Sequence, residues 1–136
     1  MAWVVDTCLL LDIGLDDSRF AEKTGKLLDG KGGDGLAICP VTFVELAPAL
    51  GGNLKPLQEF LFNLDIEYRE DWLWEDTTNA NAAWSRYVQK RRTGQAIKRP
   101  VADVLIGAFA SRFQGLLTRN AVDFKKIFPQ LPIVEP

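Results

Sequence analysis

The 136-residue sequence predicts an α/β fold with a short, mostly parallel central sheet flanked by helices. Short apolar runs alternate with segments whose apolar residues recur at helical spacing, which is typical of parallel sheets with helical crossovers. Most of these runs stop abruptly at a polar residue or a proline, as buried strands do. The length and the 47% of apolar residues suit one globular domain, so residues 1–136 are assigned to a single domain.

Five apolar segments are predicted to be strands. The first, residues 3–5, is Trp-Val-Val and stops at Asp6, after which apolar residues resume at helical spacing. Asp6 therefore lies where a strand ends and a helix begins. The other predicted strands are residues 36–39, 66–68, 115–118 and 131–134.

Helices are predicted in the intervals between these strands. Asp17 and Ser18 offer a cap for the second helix, and Thr42 and Glu45 have the spacing of a capping box in the third. A long helix opens at Asp76 and ends in a basic stretch. The other predicted helices are residues 9–13, 19–28, 41–47, 54–64, 102–110 and 123–128.

The composition excludes several kinds of chemistry. The sequence has no histidine, which excludes histidine-based triads and histidine-ligated zinc. Cys8 and Cys39 follow apolar runs and are expected to be buried thiols rather than a disulfide framework. No apolar run reaches about eighteen residues and no signal peptide is recognisable, so we expect a cytoplasmic protein with no membrane contact.

The net charge is −2, but basic residues are concentrated in one acid-free stretch. Such a stretch can follow a phosphate backbone even on an acidic protein. It is also what the negative end of a helix dipole favours, so both interpretations stay open. The basic residues are Arg86, Lys90, Arg91, Arg92, Lys98 and Arg99.

Four acids occupy strand-to-helix junctions: Asp6, Glu45, Asp103 and Asp123. Because the carboxyl ends of parallel strands meet at one edge of a sheet, the four carboxylates are expected to converge there. Simpler roles stay open, since Asp6 and Asp123 suit helix caps, Glu45 a capping box and Asp103 a helix N-terminus. Gly107, one turn after Asp103, is expected to leave the space above that carboxylate open.

A cluster of carboxylates needs a compensating cation. Two carboxylates about 4 Å apart repel each other by roughly 4 kcal/mol at an effective dielectric constant near 20. Oxygen ligands without histidine or thiolate favour Mg²⁺ or Mn²⁺. The sequence therefore predicts Mg²⁺ as the cofactor, with Mn²⁺ as a substitute.

Four segments in chain order resemble the signature segments of the PIN domain, as found in VapC-type toxins of bacterial toxin–antitoxin pairs. Order, spacing and total length all fit, so the resemblance spans nearly the whole chain. Cys8 departs from the pattern, because many relatives carry Asn two places after the first Asp. The segments are residues 4–7, 41–46, 102–108 and 117–124.

The resemblance implies a Mg²⁺-dependent endoribonuclease that acts on RNA, forms a homodimer and is inhibited by a cognate VapB-type antitoxin. It makes Asp6 and Asp103 the principal metal ligands, with Glu45 and Asp123 completing the shell directly or through water, or orienting the attacking water. Thr118 and Asn120 match polar positions that line the same pocket. The candidates to hold substrate phosphates are Lys98, Arg99 and Arg119.

Two other functions stay open. Phosphotransferases that form an aspartyl-phosphate also place an Asp after the first strand, but they commonly carry a second Asp where this chain has Cys8. A non-catalytic interaction module with the PIN fold is the other alternative. Its partner surface would use the apolar stripe of residues 54–64 and the aromatic side chains of Trp72, Trp74 and Trp84.

Overall fold

The computed structural model describes residues 1–92 and 100–136, apart from the side chains of residues 91 and 92. Its strands are β1 (Trp3–Val5), β2 (Leu36–Ala37), β3 (Ile66–Glu67), β4 (Gly115–Leu117) and β5 (Ile133–Val134). They form one sheet in the order β3-β2-β1-β4-β5, in which every neighbouring pair is parallel. β1 occupies the centre, with Trp3 in register with Leu36 on one side and with Gly115 on the other.

Helices cover both faces of the sheet, so the predicted α/β fold is confirmed. The α-helices in the described residues are α1 (Thr7–Gly14), α2 (Ala21–Lys31), α3 (Pro40–Glu45), α4 (Leu54–Asn63), α5 (Trp74–Arg92), α6 (Val101–Ala110) and α7 (Ala121–Ile127). No helix within residues 1–92 and 100–136 is both long and apolar enough to cross a membrane.

Two hydrophobic cores lie on opposite faces of the sheet. Val4 points into one, which contains Phe109 of α6 and Phe124 of α7. Val5 points into the other, with Leu9 of α1. Successive residues of a strand face opposite sides, so this continuous apolar run lines both cores.

The predicted capping box in the third helix is wrong. Cys39 is the N-cap of α3 and Pro40 is its first helical residue. Thr42 therefore lies inside the helix, and Glu45 is its last residue. The spacing is that of a capping box, but the proline starts the helix two residues before Thr42, since its fixed φ suits the first helical position.

The expected open space at Gly107 is also absent. Gly107 is buried, and a Cβ atom built there would lie 2.3 Å from the Phe128 ring. The missing side chain leaves room for that ring. Gly107 therefore serves the packing of α6 against the end of α7.

We expect Gly107→Ala to destabilise the protein by about 1–3 kcal/mol, the usual cost of overpacking a core. Gly25→Ala is the matched control, because Gly25 lies in α2 and a Cβ there meets no atom within 4 Å. Alanine is the better helix former by about 1 kcal/mol, so the control should be stabilised. Urea unfolding of both variants measures the two effects, and a stabilised Gly107→Ala would contradict the packing role.

Candidate functional site

The carboxyl edge of the sheet carries the residues that the sequence singles out. Asp6 follows β1, and Thr118 follows the neighbouring strand β4. Glu45 ends α3, the helix that comes after β2. Asp103 lies in the first turn of α6 and Asp123 in the first turn of α7. The topology thus delivers all four predicted acids to helices at one edge.

Asp6 is buried, with 4% of its surface exposed. It is the N-cap of α1, and its Oδ1 accepts a hydrogen bond from the Thr7 backbone N–H at 2.8 Å. Its Oδ2 accepts from the Thr118 hydroxyl at 2.6 Å and from the Cys8 thiol at 3.3 Å. The capping role is therefore confirmed, but it accounts for only one of these hydrogen bonds.

Thr7 connects Asp6 to Glu45. The Thr7 hydroxyl donates to Glu45 Oε1 at 2.6 Å. The hydroxyl oxygens of Thr7 and Thr42 lie 3.0 Å apart, and both residues are buried. Thr7 thus contacts both acids, with its backbone on Asp6 and its side chain on Glu45.

Burial dominates the electrostatics of this edge. It raises the pKa of Asp6, and the negative charge of Glu45 raises it further, while the hydrogen bonds from Thr118, Cys8 and Thr7 act in the opposite direction. Burial and the neighbouring Asp6 also raise the pKa of Cys8 to about 11. Cys8 is therefore a neutral thiol near pH 7, and it donates to Asp6.

The other two buried aspartates are neutralised inside the fold. Asp12 is 3% exposed and forms two hydrogen bonds with Arg119, at 2.7 and 2.9 Å. Asp76 receives two from Arg112, at 2.8 and 2.9 Å. Among the side chains that the structure describes, Asp6 has no such cationic partner. Its donors are a backbone N–H, a hydroxyl and a thiol.

The predicted phosphate-binding residues are placed differently from one another. Arg119 is half-buried, with its guanidinium on Asp12 and 4.0 Å from the centre of the Phe20 ring. Asn120 is exposed, and its backbone N–H donates to the Thr118 hydroxyl at 3.0 Å. Lys98 and Arg99 lie outside the described residues.

Of the four acids, Asp6 and Glu45 are brought together. Asp103 is half-buried on α6, which packs against α3, and Asp123 is exposed on α7. Throughout the described part of the chain, no three His, Cys, Asp or Glu side chains form a group that could hold a metal ion. The structure therefore does not join Asp103 and Asp123 to the other two in one ligand set.

Sequence reasoning missed the roles of Thr7 and Thr42. Thr7 directly follows Asp6, and Thr42 lies one helical turn before Glu45. The signal was present, because a hydroxyl at i−3 from a helical carboxylate lies on the same face. The roles of Thr7 and Thr42 depend on the contact between α1 and α3, which spacing along the chain does not reveal.

The comparison with solved structures supports the fold. A chain of VapBC2 from Rickettsia felis, solved bound to a DNA fragment from their promoter, matches with a TM-score of 0.66 and 20% sequence identity. The match covers 99% of this chain and 98% of that chain. No family model and no curated protein matches the sequence. At this identity the match shows the fold, an α/β domain consistent with a PIN-like fold.

The residues at this edge suit a magnesium ion that keeps most of its water better than one enclosed by carboxylates. Mg²⁺ is usually bound by one or two carboxylates and keeps several waters. Asp6 and Glu45 offer that number with oxygen donors alone, and among the described side chains neither has an ion pair. The remaining coordination positions would be left for water and for a ligand phosphate.

We expect Arg119→Met to destabilise the protein by about 3 kcal/mol, because it leaves the buried Asp12 carboxylate without its cation. Arg86→Met is the control, since Arg86 is exposed on α5 and its loss should change stability little. The free energy of unfolding in urea distinguishes the two variants. Equal, small effects would mean that Arg119 is not a structural residue and is available to a ligand.

Proposed function

We propose that this chain is a divalent-cation-dependent endoribonuclease whose site is built around Asp6 and Glu45. The observation that carries the proposal is the buried Asp6 carboxylate, which accepts only neutral donors within the described residues. A second acid lies beside it. A site that orients two acids without an ion pair attracts a cation.

Some residues of this edge would hold the cation, and others would orient the attacking water. A bound Mg²⁺ ion would neutralise charge on a scissile phosphate and lower the pKa of a bound water. Asp6 is fixed by its three hydrogen bonds and would hold the cation in one position. Glu45 would contribute a second carboxylate, while Asp103 and Asp123 would act through water or orient the attacking water.

The proposed substrate is RNA, held by its phosphates. Thr118 and Asn120 lie at the end of β4 beside Asp6, where a substrate would approach the two acids. Lys98 and Arg99 precede α6 in the sequence and are the proposed phosphate contacts. Arg119 is the third proposed phosphate contact, and it would have to share its guanidinium with Asp12.

We also propose a cognate VapB-type antitoxin, a homodimer and a cytoplasmic location for this protein. The matching Rickettsia felis structure contains VapBC2 and promoter DNA, which supports an antitoxin partner for a chain of the same fold. Val44 on α3 and Leu54 and Phe62 on α4 are exposed apolar residues. They form the surface where we place the apolar segment of that partner.

A non-catalytic interaction module is the second candidate. An apolar groove of about 750 Å³ lies between the start of α3, α5 and α6, and Trp72 and Trp84 line it. Trp74, 76% exposed, lies at the start of α5. The apolar stripe of residues 54–64 offers a partner less surface than expected, because Leu57 and Leu61 of α4 are buried in the core. An interaction module would bind its partner without any requirement for Mg²⁺.

Cleavage of a generic single-stranded RNA should require Mg²⁺ or Mn²⁺. We expect EDTA in excess to abolish it and added Mg²⁺ to restore it, because the chain has no histidine to activate water. Glu45→Gln, purified in the same way, controls for a contaminating nuclease and should be inactive. Full cleavage in excess chelator would refute the metal mechanism.

The charge at Glu45 gives a test that needs no substrate. Glu45→Gln keeps the oxygen that accepts from Thr7 but removes the repulsion on Asp6, so in EDTA the variant should be at least as stable as the wild type. With Mg²⁺ at about a hundred times its Kd, the wild type should gain roughly 2.7 kcal/mol. The variant should gain much less in the same thermal melts.

Glu59→Gln is the matched control for this measurement, since Glu59 is exposed on α4. It should respond to Mg²⁺ as the wild type does. Parallel shifts of the melting temperature in all three proteins would show that Glu45 is not a ligand. No shift in any of them would favour the interaction module.

A further inference from the structure

We propose that Thr7 is a positioning residue that holds the Glu45 carboxylate beside Asp6, so that both acids face the same cation. The inference rests on the proposed function of this edge. Thr7 has contacts with both acids: its N–H donates to Asp6 Oδ1 at 2.8 Å and its hydroxyl to Glu45 Oε1 at 2.6 Å. One residue thus sets the position of one carboxylate relative to the other.

Glu45 needs such a contact, because its surroundings oppose its present position. It is the last residue of α3, where the negative end of the helix dipole disfavours a carboxylate. It also lies near enough to Asp6 for the two charges to repel each other. Glu45 is exposed, so a free side chain would turn away into solvent and would lose rotamer freedom on binding an ion.

Thr42 is a second neighbour of the Thr7 hydroxyl. A threonine hydroxyl has a single proton, and the proton of Thr7 is given to Glu45. The hydroxyl oxygen of Thr42, which is fully buried, lies 3.0 Å from that of Thr7. Thr42, Thr7 and Glu45 therefore belong to one hydrogen-bond network.

Thr7 also has little freedom of its own. It is the first residue of α1, it is buried, and its side chain is β-branched, so χ1 is restricted. The hydroxyl is therefore presented to Glu45 by a rigid element. Contacts of this kind, from a residue that touches a ligand but not the ion, typically change metal affinity by 10–100-fold.

The test is the Kd of Mg²⁺ measured by isothermal titration calorimetry on the full chain. Thr7→Val keeps the shape and removes the hydroxyl, and we expect about 10-fold weaker binding. Thr7→Ser keeps the hydroxyl and should bind as the wild type does. Thr42→Val leaves the contact between Thr7 and Glu45 in place, so it should weaken binding less than Thr7→Val.

Thr24→Val is the matched control. Thr24 is fully buried and donates to a carboxylate, Asp12 Oδ2 at 3.0 Å, away from this edge. It should lower the melting temperature and leave the Kd of Mg²⁺ unchanged. A stability effect alone therefore cannot imitate the expected result.

The outcomes separate the inference from the proposed function. If the wild type binds Mg²⁺ and Thr7→Val binds it equally well, Thr7 does not position Glu45 and the inference is wrong. If the wild type binds no Mg²⁺ at all, the proposed function fails and takes the inference with it. Should Thr7→Val not fold, Thr7→Ala, which also lacks the hydroxyl, is compared with Thr7→Ser, and an equal Kd for these two variants overturns the inference.

Discussion

The burial of the Asp6 carboxylate is the constraint on which the rest of this edge depends. A carboxylate that loses water must be hydrogen-bonded or paired with a cation. The chain meets this requirement by ending β1 at the N-terminus of α1, where a free N–H and the helix dipole favour negative charge. The hydroxyl of Thr118 at the end of β4 completes the arrangement. One hydrogen-bonded acid therefore joins the two central strands at their carboxyl ends.

The fold was predictable because it depends on local pattern. The Trp-Val-Val run was recognisable as a strand buried on both faces, and the structure places Val4 and Val5 in different cores. Element boundaries were less predictable, since several residues satisfy more than one rule. Thr42 and Glu45 have capping-box spacing, but Pro40 determines where α3 begins. Gly107 shows a similar limit, because only the position of Phe128 explains why a side chain is absent there.

Part of the site could be predicted from the sequence and part could not, for a physical reason. Each acid could be placed from its own strand or helix, because parallel strands direct their carboxyl ends to one edge. The groups that hold the acids come from other elements: Thr118 is 112 residues from Asp6, and Thr7 is 38 residues from Glu45. The ion pair of Arg119 could not be predicted for the same reason. Its partner Asp12 is 107 residues away.

The three buried aspartates differ in their hydrogen-bond donors. This difference distinguishes the two structural aspartates from the one with a proposed function. Asp12 and Asp76 are neutralised by arginines, which also raises the pKa of each guanidinium. Asp6 is oriented by neutral donors, which fix its geometry without pairing it with a cation. An arginine in place of Thr118 would stabilise the carboxylate but would occupy the position of a cation. Using hydroxyls therefore lowers stability and keeps the edge negative, a trade often found at functional sites.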